Sequence, residues 1–443
     1  MIPPEQYLLN ELFNISPKSG GVPTEWLTGV YDRINTSHRA VAPLTHISVP
    51  SSAIPPTDLV KGKFVPEDIA RDITSFSGKA DKYTTSFAKH TVPMEFFVYG
   101  PNTSGVLPEL RAILPVIEWM CVDAGVISTV PTAPTAPTAP TAPTTPLTIH
   151  LYMGAAKKQF PDSPETTITY THCNAAVTWA CNVSGGILVY RREEWGKTLI
   201  HELFHSLCLD MAGTGGGEGI ETEMNTEMDR LFHLPGKPEF RETYCEWWAT
   251  VLYCAATAFQ HGRDTDTLSG TTFRHVFREC MEIERHHAFV QVGKLLRFWN
   301  VEWCDFLKHH MCHNINADRP KRSIPKEATN VFCYFVLRCV MFHDMDAVVR
   351  VMGYSDPKRN LVYSDPKRNV LLKRTFAVSN MTKHLHKIAY GDDFDTVLQS
   401  YDRSLQIIVS RAHNSRMSDT HISVIVAHIT DNFRMTAISG WII

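Results

Sequence analysis

The chain of 443 residues lacks any apolar run long enough to cross a bilayer, which takes about 20 residues. Its most apolar stretch, Val331–Phe342, is short and carries Arg338, so it reads as a buried helix. An excess of positive charge is missing too. Lys and Arg number 43 against 46 Asp and Glu, the net charge is −3, and no long basic block occurs. That removes the electrostatic footprint on which nucleic-acid binding depends. Paired cysteine spacing is absent: the 11 cysteines are odd in number and scattered, which argues against a disulfide framework and for a reducing, intracellular compartment. The first residues, MIPPEQYLLNELFN, have neither the basic nor the apolar region of a secretion signal, so the expectation is a protein that is not secreted. What remains is 44 % hydrophobic and 20 % charged, enough to build a substantial core.

The informative stretch is RREEWGKTLIHELFHSLCLD (Arg191–Asp210). Trp195, Leu199, Leu203 and Leu207 recur every four residues, and Ile200 and Phe204 widen the stripe, so the segment is expected to be an amphipathic helix. Glu193 and Glu194 would lie in its first turn, with Glu193 placed to pair with Lys197. On such a helix His201 and His205 project from one face, one turn apart, and can bind a single Zn²⁺. Glu202, beside the first histidine, can then serve as the base that deprotonates a water activated by the metal. Adjacent helix positions point about 100° apart, so Glu202 itself is not expected to bind the metal.

A catalytic zinc keeps three protein ligands. In the HExxHxxGxxH pattern Gly and His would stand at positions 208 and 211, but here these are Cys208 and Met211, which excludes that class. The remaining candidates are Asp210, Glu218, Glu221, Glu223, His233, Glu239, Glu242 and Glu246. Glu242 is favoured because PEFRETYCEWWATVLYCAATAFQ (Pro238–Gln260) reads as a firm helix opened by Pro. Glu246 lies one turn on, where a carboxylate can accept the outer N–H of a liganding histidine. A second His/Cys group, Cys304, His309, Cys312 and His313, is disfavoured as a zinc site because one short helix rarely supplies four ligands. His286 and His287 read as surface residues.

Along the chain, residues 1–87 are rich in Pro, Ser and Thr and read as a partly irregular extension with a few short helices. Residues 88–262 are expected to form the catalytic domain. They offer strands at Val92–Gly100, Leu147–Gly154, Thr166–His172, Asn174–Ala180 and Gly186–Arg191, and a helix at Leu107–Gly125 that Pro115 should kink. The Thr-Ala-Pro triplets of 131–146 favour an extended, solvated conformation and are placed as a loop within this domain. Residues 263–443 read as mainly helical, with segments at Phe273–Trp299, Glu302–His313, Lys326–Phe342, Met381–Tyr390 and Phe394–Gln406. Within them YSDPKRNLV (354–362) is nearly repeated as YSDPKRNVL (363–371), an exposed arm with no functional reading. The fold class expected is α+β, a small mixed sheet carrying the HExxH helix, followed by a helical region.

The strand–helix–strands–helix order resembles the N-terminal half of zincin metallopeptidases. The ExxxE of Glu242 and Glu246 resembles the ExxxD of gluzincins, with Glu for Asp at the second position. The run HCNAAVTWACNVSGGILVYRREEWGKTLIHELFHSLCLDM (His172–Met211), with ETYCEWWA (Glu242–Ala249), is similar to zincin-like proteins encoded by nucleocytoplasmic large DNA viruses. The resemblance implies a gluzincin-type zinc peptidase: His201, His205 and Glu242 on zinc, Glu246 behind a histidine, and Glu202 as general base. A polypeptide substrate would pair with the edge strand at Asn174 and Ala175, and other virion proteins are candidate partners. An oxyanion donor is expected from the later helical part, with Tyr244, His275 and His286 as candidates. Two other functions compete: a virion-associated or structural protein that keeps the zincin fold without turnover, and a zinc hydrolase of non-peptide amides.

Overall fold

The computed structural model describes residues 22–55, 57–87, 93–124, 146–211, 217–234, 236–308, 327–354, 378–414 and 435–438. The Thr-Ala-Pro tract at 131–145, the repeat beyond 354, and His309, Cys312 and His313 lie outside these described residues.

The architecture is mixed α+β. Six strands form one sheet: β1 (Thr45–Pro50), β2 (Lys79–Thr85), β3 (Met94–Tyr99), β4 (Leu147–Tyr152), β5 (Ala176–Thr178) and β6 (Ile187–Val189). Their spatial order is β1-β2-β3-β4-β6-β5. The central pairs β3–β4 and β4–β6 are parallel; β1–β2, β2–β3 and β5–β6 are antiparallel. The parallel step from β3 to β4 spans the helix at Val106–Asp123, as parallel neighbours require a crossover.

Successive side chains on a strand face opposite ways, and in the central strands both faces are apolar. Phe96 and Val98 of β3, Ile149 and Leu151 of β4, and Ile187 and Val189 of β6 join one core. The intervening Phe97, Tyr99, Tyr152 and Leu188 join a smaller second core. The large core lies under α1 (Thr24–Ala40), α2 (Val106–Asp123), α3 (Trp195–Ser206) and α4 (Phe240–Asp264), which pack on one another. The small core is closed by Leu59, Val60 and the short helix at Glu67–Thr74, which buries Ile69 and Ile73. With both faces covered, the sheet is a rigid platform.

Residues 22–87 therefore do more than extend the chain: they supply the 17-residue helix α1 and two strands paired into the same sheet. Beyond α4 most of the described residues are helical, in α5 (Gly270–Trp299), α6 (Arg338–His343), α7 (Val378–Ala389) and α8 (Asp392–Asn414). Their apolar faces continue the large core, so the expected boundaries at 87/88 and 262/263 do not interrupt the packing.

Two segments differ from expectation. Thr166–His172 is not a strand: Tyr170–Cys173 is one helical turn. Thr169 caps it, its side chain accepting the Thr171 N–H while its own N–H donates to His172 Nδ1 at 3.0 Å. Such local bonds compete with a sheet ladder, which the run of threonines conceals. Within Glu302–His313, only a 3₁₀ turn at Trp303–Phe306 is helical among the described residues, and Leu307 then bridges to Phe232.

The two-sided burial predicts a sharp contrast in stability. Leu151→Ala empties a fully buried site and should cost about 2–5 kcal/mol. Ile47→Ser, on a strand position that is 57 % exposed, should stay within roughly 0.5 kcal/mol of wild type. Thermal denaturation of the two variants beside wild type checks the difference; equal melting temperatures would refute it.

Candidate metal centre

Helix α3 carries the HExxH segment, and its i,i+4 spacing sets the rings of His201 and His205 side by side, with Nε2 atoms 3.2 Å apart. Helix α4 crosses it and delivers Glu242 from its first turn. Glu242 Oε2 lies 3.4 Å from Nε2 of each histidine. A tetrahedral zinc with bonds of about 2.0–2.1 Å separates its ligand atoms by about 3.3 Å. All three edges of the triangle fall within about 0.1 Å of that spacing, so the residues present fit zinc.

The outer nitrogens strengthen the fit. His201 Nδ1 lies 2.9 Å from Glu246 Oε2, and His205 Nδ1 lies 2.9 Å from Asp210 Oδ2. With a hydrogen on each Nδ1 facing these carboxylates, each neutral ring would turn a bare Nε2 lone pair inward. Two lone pairs and a carboxylate oxygen then converge on one point, which only a cation satisfies. Without a metal the cluster holds protons. Burial works to lower the pKa of both histidines, but Glu242 with Glu246 raises that of His201, and Glu242 with Asp210 raises that of His205 well above its usual value. Burial works to raise the pKa of Glu242, but the facing imidazoles hold it well below the carboxylate range.

Asp210 is the residue whose role the sequence left undecided. Helix α3 ends at Ser206, Cys208 takes φ +56°, and the N–H groups of Leu209 and Asp210 both return to the Phe204 carbonyl. That tight reversal throws Asp210 back onto His205. Cys245 approaches the same group, but burial pushes its thiol well above the usual range and keeps it protonated. Of the other carboxylates considered as third ligand, Glu221 and Glu239 face Arg241 instead.

The start of α3 also differs from expectation. Helical geometry begins at Trp195, and Glu194 stands outside it at φ +59°, fully buried against Lys158 at 2.8 Å. Lys197 turns inward to Glu246 rather than pairing with Glu193. Nor do the scattered cysteines all stay free: Cys181 and Cys208 are disulfide-bonded, 27 positions apart, while the other eight described are thiols. Cys181 N–H also donates to the His205 carbonyl at 2.8 Å, so the loop after β5 is tied to the end of α3 twice.

A cleft of about 470 Å³ opens over the triad. Glu202 lines it without joining the ligand group, and burial pushes its carboxyl above the ordinary range while His201 and His205 pull it back. Val177 and Thr178 of the sheet-edge strand β5, with Asn174 two positions before that strand, line one part of the cleft. Ala175 lies beside it, buried, its carbonyl taken by the Tyr190 N–H. Tyr334 also lines the cleft, its ring centroid 6.1 Å from that of His201, on a π-helical turn (Phe332–Leu337) that runs into α6. Burial holds its phenol protonated, with the site carboxylates adding to the effect.

None of the three expected oxyanion donors lines this cleft. Tyr244 is buried edge-on against Phe204 and Trp248, and His275 is exposed on α5. His286 is buried against the Tyr401 hydroxyl, with its pKa lowered to about 4 by burial. His287 is buried as well, so this pair is core rather than surface. Tyr334 was missed because nothing local marks it: it lies 133 positions after His201 and reaches the site only through tertiary packing.

No protein-family profile, curated protein or solved structure matches the chain. Among the described residues no helix is long and apolar enough to cross a membrane.

The geometry predicts about one equivalent of zinc per purified chain, and loss of most of it in His205→Ala and Glu242→Ala. Asp210→Asn keeps the side-chain shape and should weaken zinc binding by roughly 10–100-fold in a chelator competition. Wild-type affinity in that variant would reduce Asp210 to a structural part of the turn.

Proposed function

We propose that the protein is a zinc-dependent peptidase of the gluzincin type, with the sheet and helices α2 and α3 as its zincin-like half. The observation that carries this reading is the convergence of His201 Nε2, His205 Nε2 and Glu242 Oε2 at edges of 3.2–3.4 Å beneath an open cleft that Glu202 also lines. A zinc held there would polarise a scissile carbonyl and make a water at the site acidic enough to attack it.

The remaining steps belong to the chain's own groups. Glu202 takes the proton of the attacking water and passes it to the leaving amine. Its partly desolvated carboxyl, with a pKa above the ordinary range, suits both directions of transfer. Strand β5 is the edge of the sheet, so its outer N–H and C=O groups can add an extended polypeptide as a further strand. Asn174, Val177 and Thr178 would lie along that polypeptide. Tyr334, protonated and facing the cleft, is placed to donate its O–H to the oxygen that gains charge.

Glu202→Gln keeps shape and removes the base. It should retain zinc and melting temperature while turnover of a peptide library falls about 10²–10⁴-fold. Tyr334→Phe should lower kcat by about 10²–10³ with KM little changed. A Glu202→Gln protein that cleaves as wild type does, or a zinc-loaded wild type that cleaves nothing, would remove the peptidase reading and leave a zinc-holding scaffold.

A further inference from the structure

Behind the metal ligands lies a second layer of buried charge. Glu246 divides its two carboxylate oxygens. Oε2 faces His201 Nδ1 at 2.9 Å, while Oε1 is gripped by the Lys197 ammonium and by Arg338 Nη1, the latter at 3.3 Å. Lys197 stands one helical turn before His201 on the same face of α3, and Glu246 stands one turn after Glu242 on α4. Supporting pair and ligand pair are therefore adjacent rungs across one helix crossing. Lys197 and Glu246 are each 1 % exposed and Arg338 is fully buried, so all three lie out of reach of bulk solvent.

The layer continues away from the site. Arg338 donates to the Met435 carbonyl, and Lys197 Nζ lies 3.8 Å from Met435 Sδ although the two residues are 238 positions apart. The next residues reach two more buried carboxylates. Thr436 N–H donates to Glu194, and the N–H groups of Ala437 and Ile438 donate to Glu284 Oε1 at 2.8 and 2.9 Å. Lys158 completes the set through Glu194 at 2.8 Å. Three cations, Lys158, Lys197 and Arg338, thus face three carboxylates, Glu194, Glu246 and Glu284, with Met435–Ile438 laid between them.

Burying six charges is expensive, and packed apolar side chains of similar volume often give equal or better stability. What an apolar layer does not do is fix a carboxylate at a set angle to an imidazole. We propose that Lys197 and Arg338, braced by segment 435–438, are positioning residues for the metal centre: they hold Glu246 in the orientation that aims His201 Nε2 at the metal. This rests on the zinc reading given above. His205 has its own support in Asp210, on the tight turn after α3, so the two histidines are held by independent devices and the present one serves His201 alone.

The test is a double-mutant cycle read by zinc affinity, using chelator competition on the full chain, with apoprotein melting temperature recorded alongside. Lys197→Met and Glu246→Gln should each weaken zinc binding by about 10–100-fold, the range for groups that orient a metal ligand. Lys197→Met/Glu246→Gln should bind zinc no more weakly than Glu246→Gln alone, because Lys197 acts through Glu246. Arg338→Lys keeps the charge with a shorter reach, a milder change if Lys197→Met fails to fold. It should weaken zinc binding in the wild-type background and leave it unchanged in the Glu246→Gln background. Losses that multiply in the double variants, or zinc affinity unchanged in Lys197→Met and Arg338→Lys, would overturn the positioning role while leaving the zinc site in place. A wild-type protein that takes up no zinc would overturn the zinc reading itself, and this inference with it.

Discussion

Lone pairs that face one another are the constraint around which this molecule is built. Two imidazole nitrogens at 3.2 Å and a carboxylate oxygen 3.4 Å from each leave no net attraction unless positive charge stands among them. The facing carboxylates, working against burial, raise the pKa of both histidines for the same reason. Every nearby element works against relaxation of the cluster. The sheet under α3 is packed on both faces, α4 crosses at a fixed rung, and a carboxylate stands behind each ring. An ordinary core would let such groups drift apart; here the scaffold holds them at the separation of metal ligands.

The proposed chemistry rests on how unequally solvent reaches the site. The ligands' far sides are dry and held by carboxylates, while their near side opens on the cleft with Glu202 and Tyr334 at its walls. Low dielectric behind the ligands makes each charge–charge contact count for more, and the open side leaves room for water and an extended chain.

Much of this was legible in the sequence, and the parts that were not share a cause. The i,i+4 pairs His201/His205 and Glu242/Glu246 are helical periodicities, visible without any tertiary information, and their positions stand as expected. Strands β3, β4 and β6 also emerge where apolar runs lie between turn signals. Hidden were the contacts that depend on distant segments meeting. Lys197 reads as a surface partner of Glu193 until α4 and α6 supply Glu246 and Arg338. Asp210 reads as a possible ligand until the left-handed residue Cys208 reverses the chain. Tyr334 and Met435 carry no local signal. The threonines before His172 suggested a strand because their side-chain caps are invisible to a periodicity of two.

The bond between Cys181 and Cys208 has a consequence for how the cleft can change width. One jaw, formed by β5 and the loop that follows it, is fastened covalently to the end of the helix that carries both histidines. That bond limits how far the two can separate. The segment leading to Tyr334 is held by hydrogen bonds instead: the Ala328 N–H donates to the Ile168 carbonyl at 3.1 Å and the Thr329 hydroxyl to Asn174 at 3.3 Å. On the proposed reading, the sheet edge that would take up an extended chain is, through Cys181, tethered to the end of the helix that bears both histidines.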